Sequence, residues 1–361
     1  MPAIKIGPDY VGDNWPVYFI ADLGANHDGD LTRALWLIHE ATGAGANAVK
    51  FQHFRAEHIV SAEGFDALGD QVGHQATWGK SVTEVYQDAS LPWEWTPILA
   101  RECDRAGVTF LSTPYDFDAV DMLEPYVPAY KVGSGDITYG QLLHHAASKG
   151  KPIILSTGAS NLDDVERAVE IVDDAGAPLI LLQCNTNYEV DPVNFFHINL
   201  RVLDAYGELF PWAVLGVSDH TPGHSTVLGA IALGAKVIEK HFTDDNSRVG
   251  PDHAFAMTPD DWREMVDRTR ELEAALGDGV KRVEENEEKT VIVQRRCLRA
   301  ARDLSAGTPL YSDMLVALRP APVGSIPPNK IGIVLNLCLE EGLRKGEALR
   351  WQSFVKKEGR P

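Results

Sequence analysis

A chain of 361 residues, 44% hydrophobic and 24% charged, has ample apolar matter for a large buried core and is longer than one average domain. Its formal net charge of −19 speaks against nucleic-acid and anionic-membrane partners, whose phosphates such a surface repels, although a local cationic pocket for a small anion stays open. No signal-peptide core and no run of about 18 apolar residues occurs, and four widely spaced cysteines without CxxC pairing fit reduced thiols in a cytoplasmic protein.

Eight short apolar runs follow one another: VYFIADLG (17–24), NAVKFQ (47–52), VTFLSTP (108–114), AYKVGSG (129–135), PIILSTG (152–158), LILLQCN (179–185), AVLGVSD (213–219) and KVIEKHF (236–242). Amphipathic stretches of helical period separate or follow them, among them 31–45, 95–107, 162–176, 225–235 and 260–276. Buried strands alternating with helices predict parallel βα units, and eight units predict an α/β fold closed as a (β/α)8 TIM barrel. The open, doubly wound alternative lacks a GxGxxG after the first run. The Gly-, His- and Gln-rich stretch 63–80 is long enough to be a lid or a disordered segment. A charged linker over 277–290 then separates the barrel, 1–276, from a small, irregular β domain, 291–361, that contains the Pro-rich ALRPAPVGSIPPNK (317–330).

Reactive groups of such a barrel sit at the C-terminal strand ends. Those ends supply Asp22, Asn26 and His27, then Lys50 and Gln52, then Ser112 and Thr113. They continue with Lys131, Ser134 and Asp136, then Ser156 and Thr157, then Asn185, Thr186 and Tyr188. The last two strands end in Ser218, Asp219 and His220, and in Glu239 and His241. Some polar ends simply meet solvent, but two lysines inside apolar runs do not fit that account, since a buried ammonium is costly unless paired. With the nearby hydroxyls and the glycine turns KVGSGD and LSTGAS they suit a phosphate or carboxylate ligand. His220 and His241 close neighbouring strands; they are either hydrogen-bonded structural residues or a two-histidine site. Such a site, open to oxygen ligands, suits manganese or magnesium better than zinc. Ser218, Asp219 and His220 cannot form a hydrolase triad, because consecutive strand residues face opposite ways, and no GxSxG elbow occurs. His224, after a Pro-Gly turn, reads as structural.

At these residues the chain resembles the sialic acid synthase family, the phosphoenolpyruvate-dependent nonulosonate synthases. The matching stretches are IADLGANHDGD (20–30), GANAVKFQ (45–52), FLSTPYD (110–116), AYKVGSGD (129–136), KPIILSTGAS (151–160), GVSDHTPGH (216–224), IEKHFTDD (238–245) and GPDHAFAM (250–257). Residues 302–325 resemble the family's antifreeze-like SAF domain, a β-clip, so the likeness covers nearly the whole chain. It implies condensation of phosphoenolpyruvate with an N-acetylhexosamine such as N-acetylmannosamine, giving a nine-carbon 2-keto acid and phosphate. It implies His220 and His241 as metal ligands, for Mn2+ with Mg2+ or Co2+ as alternatives. Lys50, Thr113, Lys131, Ser134, Ser156, Thr186 and Ser218 match phosphoenolpyruvate-binding positions. Tyr188, Asp252 and Arg319 match positions toward the sugar; Arg319 reaches it from the partner subunit, which implies a domain-swapped homodimer. Asp22 and Asp136, with Lys131 and Tyr188, are the implied catalytic groups.

The chain departs from the family pattern in three places. Asp22 and Asp136 stand where glutamate is usual, each carboxylate then sitting about 1.5 Å further back. CNTNYEV replaces a Cys-Thr-x-x-Tyr-Pro pattern, which blurs the register between Asn185 and Asn187. A different aldose acceptor, as in legionaminic or pseudaminic precursors or a neutral or phosphorylated sugar, is the expected alternative. A 3-deoxy-octulosonate-phosphate type of synthase is opposed by the tail, since such enzymes lack the SAF domain. A non-catalytic carbohydrate-binding protein is opposed by the retained histidines and lysines.

Overall fold

The computed structural model describes residues 3–69, 75–76 and 78–354. A hairpin opens the chain: β1 (Ile4–Ile6) pairs antiparallel with β2 (Asp9–Val11), turning at Gly7, whose φ of +58° suits a residue without Cβ. Eight parallel strands follow: β3 (Tyr18–Asp22), β4 (Ala48–His53), β5 (Thr109–Pro114), β6 (Tyr130–Val132), β7 (Ile153–Ser156), β8 (Leu179–Cys184), β9 (Val214–Asp219) and β10 (Val237–His241). They close in the order β10-β3-β4-β5-β6-β7-β8-β9, the expected (β/α)8 barrel. The expected helices form at Leu31–Ala44, Thr96–Ala106, Leu162–Asp174, Ser225–Ala232 and Pro259–Leu276.

The two-residue strand period sorts the side chains. Tyr18, Ile20, Ala48, Leu111, Ile154, Leu182 and Val237 fill the barrel interior, and Ile4, Ile6 and Val11 of the hairpin join them in one buried cluster. Their strand neighbours, such as Phe19, Val49, Phe110, Leu155, Leu215 and Ile238, belong to the outer core under the helices. Each such burial contributes about 2 kcal/mol. The hairpin therefore adds apolar filling to the lower layers, and the inward polar residues are left at the C-terminal strand ends.

Two polar clusters interrupt the outer core. Fully buried His53 bridges Ser112 Oγ at 2.6 Å and Thr96 Oγ1 at 2.8 Å, tying β4 and β5 to the helix outside them. Lys240 and Asp219 form a buried ion pair between β10 and β9.

Gly216 on β9 shows how tightly the interior is filled: an added Cβ would stand 2.2 Å from Val237 O and 2.5 Å from Leu182 Cδ2. Backbone is on one side, so a rotamer change cannot relieve the clash. Gly216→Ala is expected to destabilise the protein by at least about 2 kcal/mol, measured as a lowered urea midpoint; an unchanged midpoint would contradict this packing.

Contacts divide the chain into two units, Met1–Gly277 and Asp278–Pro361. In the second, β11 (Cys297–Ala300) pairs antiparallel with β12 (Leu315–Leu318), and Leu298, Leu304, Leu310, Ile326, Leu339 and Leu349 form its core. Part of the expected linker is helical: a 3-10 turn at Glu285–Glu287 leads into a helix, Glu288–Gln294, which also takes up the first residues expected for the second domain. Of the expected lid, residues 70–74 and 77 lie outside the described residues; the rest includes a short helix, Ala62–Leu68, and Trp78. Among the described residues no helix is long and apolar enough to cross a membrane.

Candidate active site at the barrel mouth

The inward residues of the upper layer are charged. Lys50 and Lys131 are 2% and 3% exposed, and each is matched by a carboxylate from another strand. Lys50 Nζ donates to Asp22 Oδ2 at 2.7 Å and to Thr113 Oγ1 at 3.3 Å. Lys131 Nζ lies 3.4 Å from Glu239 Oε1, which also accepts from Ser218 Oγ at 3.0 Å. Burial works against every one of these charges. For Asp22 the burial is outweighed by Lys50 and His241, which hold its carboxyl down at about 2. For Lys50 it is outweighed by Asp22 and Glu239, which hold the ammonium above its usual range. For Lys131 it wins, and neighbouring Lys50 adds to it, so this ammonium is held below its ordinary value despite Glu239. Lys131 is the less compensated cation of the pair.

Hydroxyls surround the lysines. Ser134, in the 3-10 turn after β6, accepts from Gly158 N at 2.9 Å. An added Cβ at Gly158 would meet Thr186 Cγ2 at 2.7 Å, which puts Thr186 beside the same turn. Ser156 Oγ at the end of β7 is buried without a hydrogen-bond partner. Cys184 faces Ser134, Ser218 and Lys131, and burial pushes its thiol up to about 11. Asp136, in the same turn as Ser134, is lifted by burial to about 6 in spite of Lys131.

His220 and His241 stand together, their ring centroids 5.5 Å apart. Two imidazoles sharing a divalent ion through bonds of about 2.1 Å have centroids roughly 5 Å apart. His220 Nδ1 lies 2.9 Å from the carbonyl oxygen of Asn185, to which it can only donate, so Nε2 carries the lone pair. Burial, then His241, holds His220 neutral down to about 3. His241 Nε2 is 3.4 Å from Asp22 Oδ2, while its Nδ1 is buried without a hydrogen bond, 3.8 Å from Asp252 Oδ2. His220, neutral with a fixed tautomer, and His241, with an orphaned ring nitrogen, are a donor set that fits a divalent cation. Among the described residues no three His, Cys, Asp or Glu side chains gather as one ligand set, so two protein nitrogens are what this site offers.

Tyr188 packs its ring on His220 at 4.4 Å and on Phe255 at 5.1 Å. Asp252 accepts from Ala25 N at 2.9 Å. Gly24, at φ +46°, has no room for a side chain because Asp252 Oδ2 would lie 2.4 Å from its Cβ. Tyr188, Asp252 and His241 line a cleft of about 150 Å3, open to solvent, with Gln52, Tyr86 and Tyr115 among its other walls. The expected barrel residues thus meet at one mouth. Arg319 does not join them within the first unit; it is an exposed residue of the second, its Nε donating to Gln294 O. Three details complete the mouth. Asp22, although one methylene shorter than glutamate, still engages both Lys50 and the His241 edge. Asn185 offers its carbonyl to His220, whereas Asn187 is exposed and braces Asn194. His224 precedes the helix Ser225–Ala232 without capping it by its side chain.

Glu239 and Gln52, expected at the strand ends but given no role, reach the site, and so do Tyr115 and Phe255, which were not among the expected site residues. Glu239 and Gln52 carry a legible signal, since each lies two residues from an expected one, His241 or Lys50, and so on the same strand face. Tyr115 and Phe255 sit on loops, where no period helps.

A sequence model of the NeuB family matches residues 37–281, and one of the SAF domain matches 295–355. The N,N'-diacetyllegionaminic acid synthase of Legionella pneumophila is 34% identical over 347 residues, 94% of this chain and 95% of that protein. Human N-acetylneuraminate-9-phosphate synthase is 32% identical over 326 residues, 90% of this chain and 89% of its own. The crystal structure of N-acetylneuraminic acid synthetase from Leptospira borgpetersenii in complex with citrate superimposes with a TM-score of 0.70 at 30% identity, covering 80% of this chain and 95% of that one. With a family match over most of the barrel and relatives above 30% identity along nearly its whole length, this chain belongs to the NeuB family and, like those relatives, is an enzyme.

Proposed function

We propose that the protein is a cytoplasmic, divalent-metal-dependent synthase. It joins phosphoenolpyruvate and water to the open-chain aldehyde of an N-acetylhexosamine, N-acetylmannosamine or a close relative, and releases a nine-carbon 2-keto sugar acid and phosphate. The observation that carries this reading is the pair of nearly inaccessible lysines, Lys50 and Lys131, at the upper end of the barrel beside His220 and His241. A small, highly charged anion offsets the burial cost that Glu239 leaves uncompensated at Lys131; a neutral glycan does not.

In this reading Lys50 and Lys131 hold the phosphate and carboxylate of phosphoenolpyruvate, with Thr113, Ser134, Ser156, Thr186 and Ser218 offering hydroxyls; Ser156 Oγ has no competing partner. A divalent cation, Mn2+ with Mg2+ or Co2+ as alternatives, held by His220 and His241 would polarise the sugar aldehyde as a Lewis acid. Carbon 3 of phosphoenolpyruvate forms the bond to the aldehyde carbon, and water adds at carbon 2. The tetrahedral carbon then expels phosphate, whose charge the two lysines stabilise as it leaves. Tyr188 and Asp252 orient the acceptor, and Asp22 keeps Lys50 in place. Mixing protein, phosphoenolpyruvate, Mn2+ and a panel of aldoses tests this: phosphate should appear only with acceptor and metal both present, and no phosphate with any acceptor would overturn it.

Asp136 is the group suited to take the proton from water. Its acid range near 6 makes it mostly ionised at neutral pH. As pH rises through about 6 the base form appears, so kcat/KM should rise along that limb; Asp136→Asn should flatten it and cost about 100-fold. The raised value also means that folding favours protonated Asp136. Its contribution to stability is full below its ordinary range near 3.8 and is lost as pH rises through about 6, so Asp136→Asn should close part of the gap in Tm between pH 5 and pH 8. An identical acid limb in the variant would remove Asp136 from this role.

An unphosphorylated acceptor is favoured over a sugar phosphate. Among the described residues the walls of the cleft include no Lys or Arg, and Asp252 places a carboxylate there. Highest turnover with an acetamido aldose free of phosphate is expected from the panel, and a preference for a sugar phosphate would contradict it. The reading also includes a homodimer in which the partner subunit's Arg319 meets the acetamido group, supported by the exposure of Arg319 and by the SAF match. A monomeric mass in sedimentation would count against that arrangement.

A further inference from the structure

The buried pair Asp219–Lys240 sits directly behind the two histidines. Asp219 and Lys240 are register partners on β9 and β10, and each immediately precedes a histidine, His220 and His241. Their side chains, 3% and 1% exposed as residues, point away from the mouth by the strand alternation that sends the histidines into it. Lys240 Nζ donates to an Asp219 carboxylate oxygen and to Thr221 O at 2.6 Å. Asp219 Oδ1 accepts from Thr221 N at 3.1 Å, and Thr221 Oγ1 bonds both Asp219 and, at 2.9 Å, Thr226 Oγ1 on the adjoining helix. The backbone on both sides of His220 is therefore tied to the residue that precedes His241.

We infer that Asp219 and Lys240 are positioning residues that lock the spacing of His220 and His241 for a shared divalent ion. The inference rests on the metal reading of those histidines. Packing alone does not account for the pair: apolar side chains of similar volume hold neighbouring strands together equally well. Hydrogen bonds add direction, and here every one of them ends on a residue flanking a histidine or on Thr226, where the next helix begins its first turn. Two protein ligands leave little redundancy, so a small shift between the strands separates the imidazoles beyond common reach of one ion. The Asn185 carbonyl fixes the ring of His220, while this pair fixes the strand that carries it.

The test is Mn2+ binding by the full chain, read by titration calorimetry or by the electron paramagnetic resonance of free Mn2+. Removing one partner strands a buried charge and threatens folding, so the informative variant is the double one, Asp219→Asn with Lys240→Met. It keeps an acceptor for Thr221 N and the bulk of the lysine stem, while abolishing the charge pair. Mn2+ affinity should fall about 10- to 100-fold, with phosphoenolpyruvate affinity changed less than about threefold and Tm nearly kept. Wild-type Mn2+ affinity in a folded double variant overturns the inference and leaves the metal reading standing. A wild-type protein that binds no Mn2+ overturns the metal reading and this inference with it. If the double variant does not fold, Thr221→Val decides, since it removes only the hydroxyl leg: weaker Mn2+ binding at unchanged Tm supports the lock, and unchanged binding overturns it.

Discussion

Replacing Lys131 with methionine is expected to lower kcat/KM for phosphoenolpyruvate by about a thousandfold while leaving a folded protein. Lys50 already donates to Asp22 and Thr113, so part of its charge is committed before any ligand arrives. Among the described residues Lys131 donates to the carbonyl of Val132 alone and stands 3.4 Å from Glu239. Burial and Lys50 both disfavour its charged form, so an incoming anion gains most from this residue. The phosphate group gains negative charge as its bond to carbon 2 breaks, so the loss should fall on kcat as well as on KM. Methionine retains the stem but leaves the buried carboxylate of Glu239 without its cation, so the urea midpoint should fall, and the kinetics are read where the variant is folded. Steady-state kinetics at saturating sugar measures the effect; a loss below tenfold would place the anion elsewhere.

Removing either mouth histidine should abolish metal-stimulated turnover. For His220→Ala and His241→Ala alike, Mn2+ affinity is expected to drop at least about 100-fold, because one imidazole alone makes a poor site. Neither residue contacts the lysines directly, so phosphoenolpyruvate binding in the absence of metal should survive. His241→Ala also takes away a neighbour that helps to hold Asp22 ionised, and Asp22 should then titrate at higher pH than in the parent protein. Calorimetric titration with Mn2+ and separately with phosphoenolpyruvate distinguishes these effects. Retained Mn2+ affinity in both variants would show that the histidines are structural.

Much of this architecture is legible in the sequence because the barrel relies on the two simplest signals. Eight apolar runs separated by helical periods define βα units, and the two-residue strand period predicts that Ser218 and His220 share a face that Asp219 does not. Ser218 meets Glu239 inside the barrel, whereas Asp219 pairs with Lys240 outside it. That pairing is beyond sequence reasoning, since it depends on the register of β9 against β10. The hairpin Ile4–Val11 is also invisible: strands of three residues are too short for a period, and their stability comes from the barrel interior they join. Helix Glu288–Gln294 reads as linker because its charged approach masks a short apolar segment, TVIV. Phe255 and Tyr115 owe their places to loops that cross the mouth, and no local pattern encodes such crossings.

Carbon-13 NMR of the reaction with phosphoenolpyruvate labelled at carbon 3 tests the central claim most directly. With an acetamido aldose and Mn2+ present, the label should move from the vinyl region to a methylene next to the keto carbon of a new sugar acid, with one phosphate released for each. Label appearing instead in the methyl group of pyruvate, at a rate indifferent to the sugar, would contradict the account.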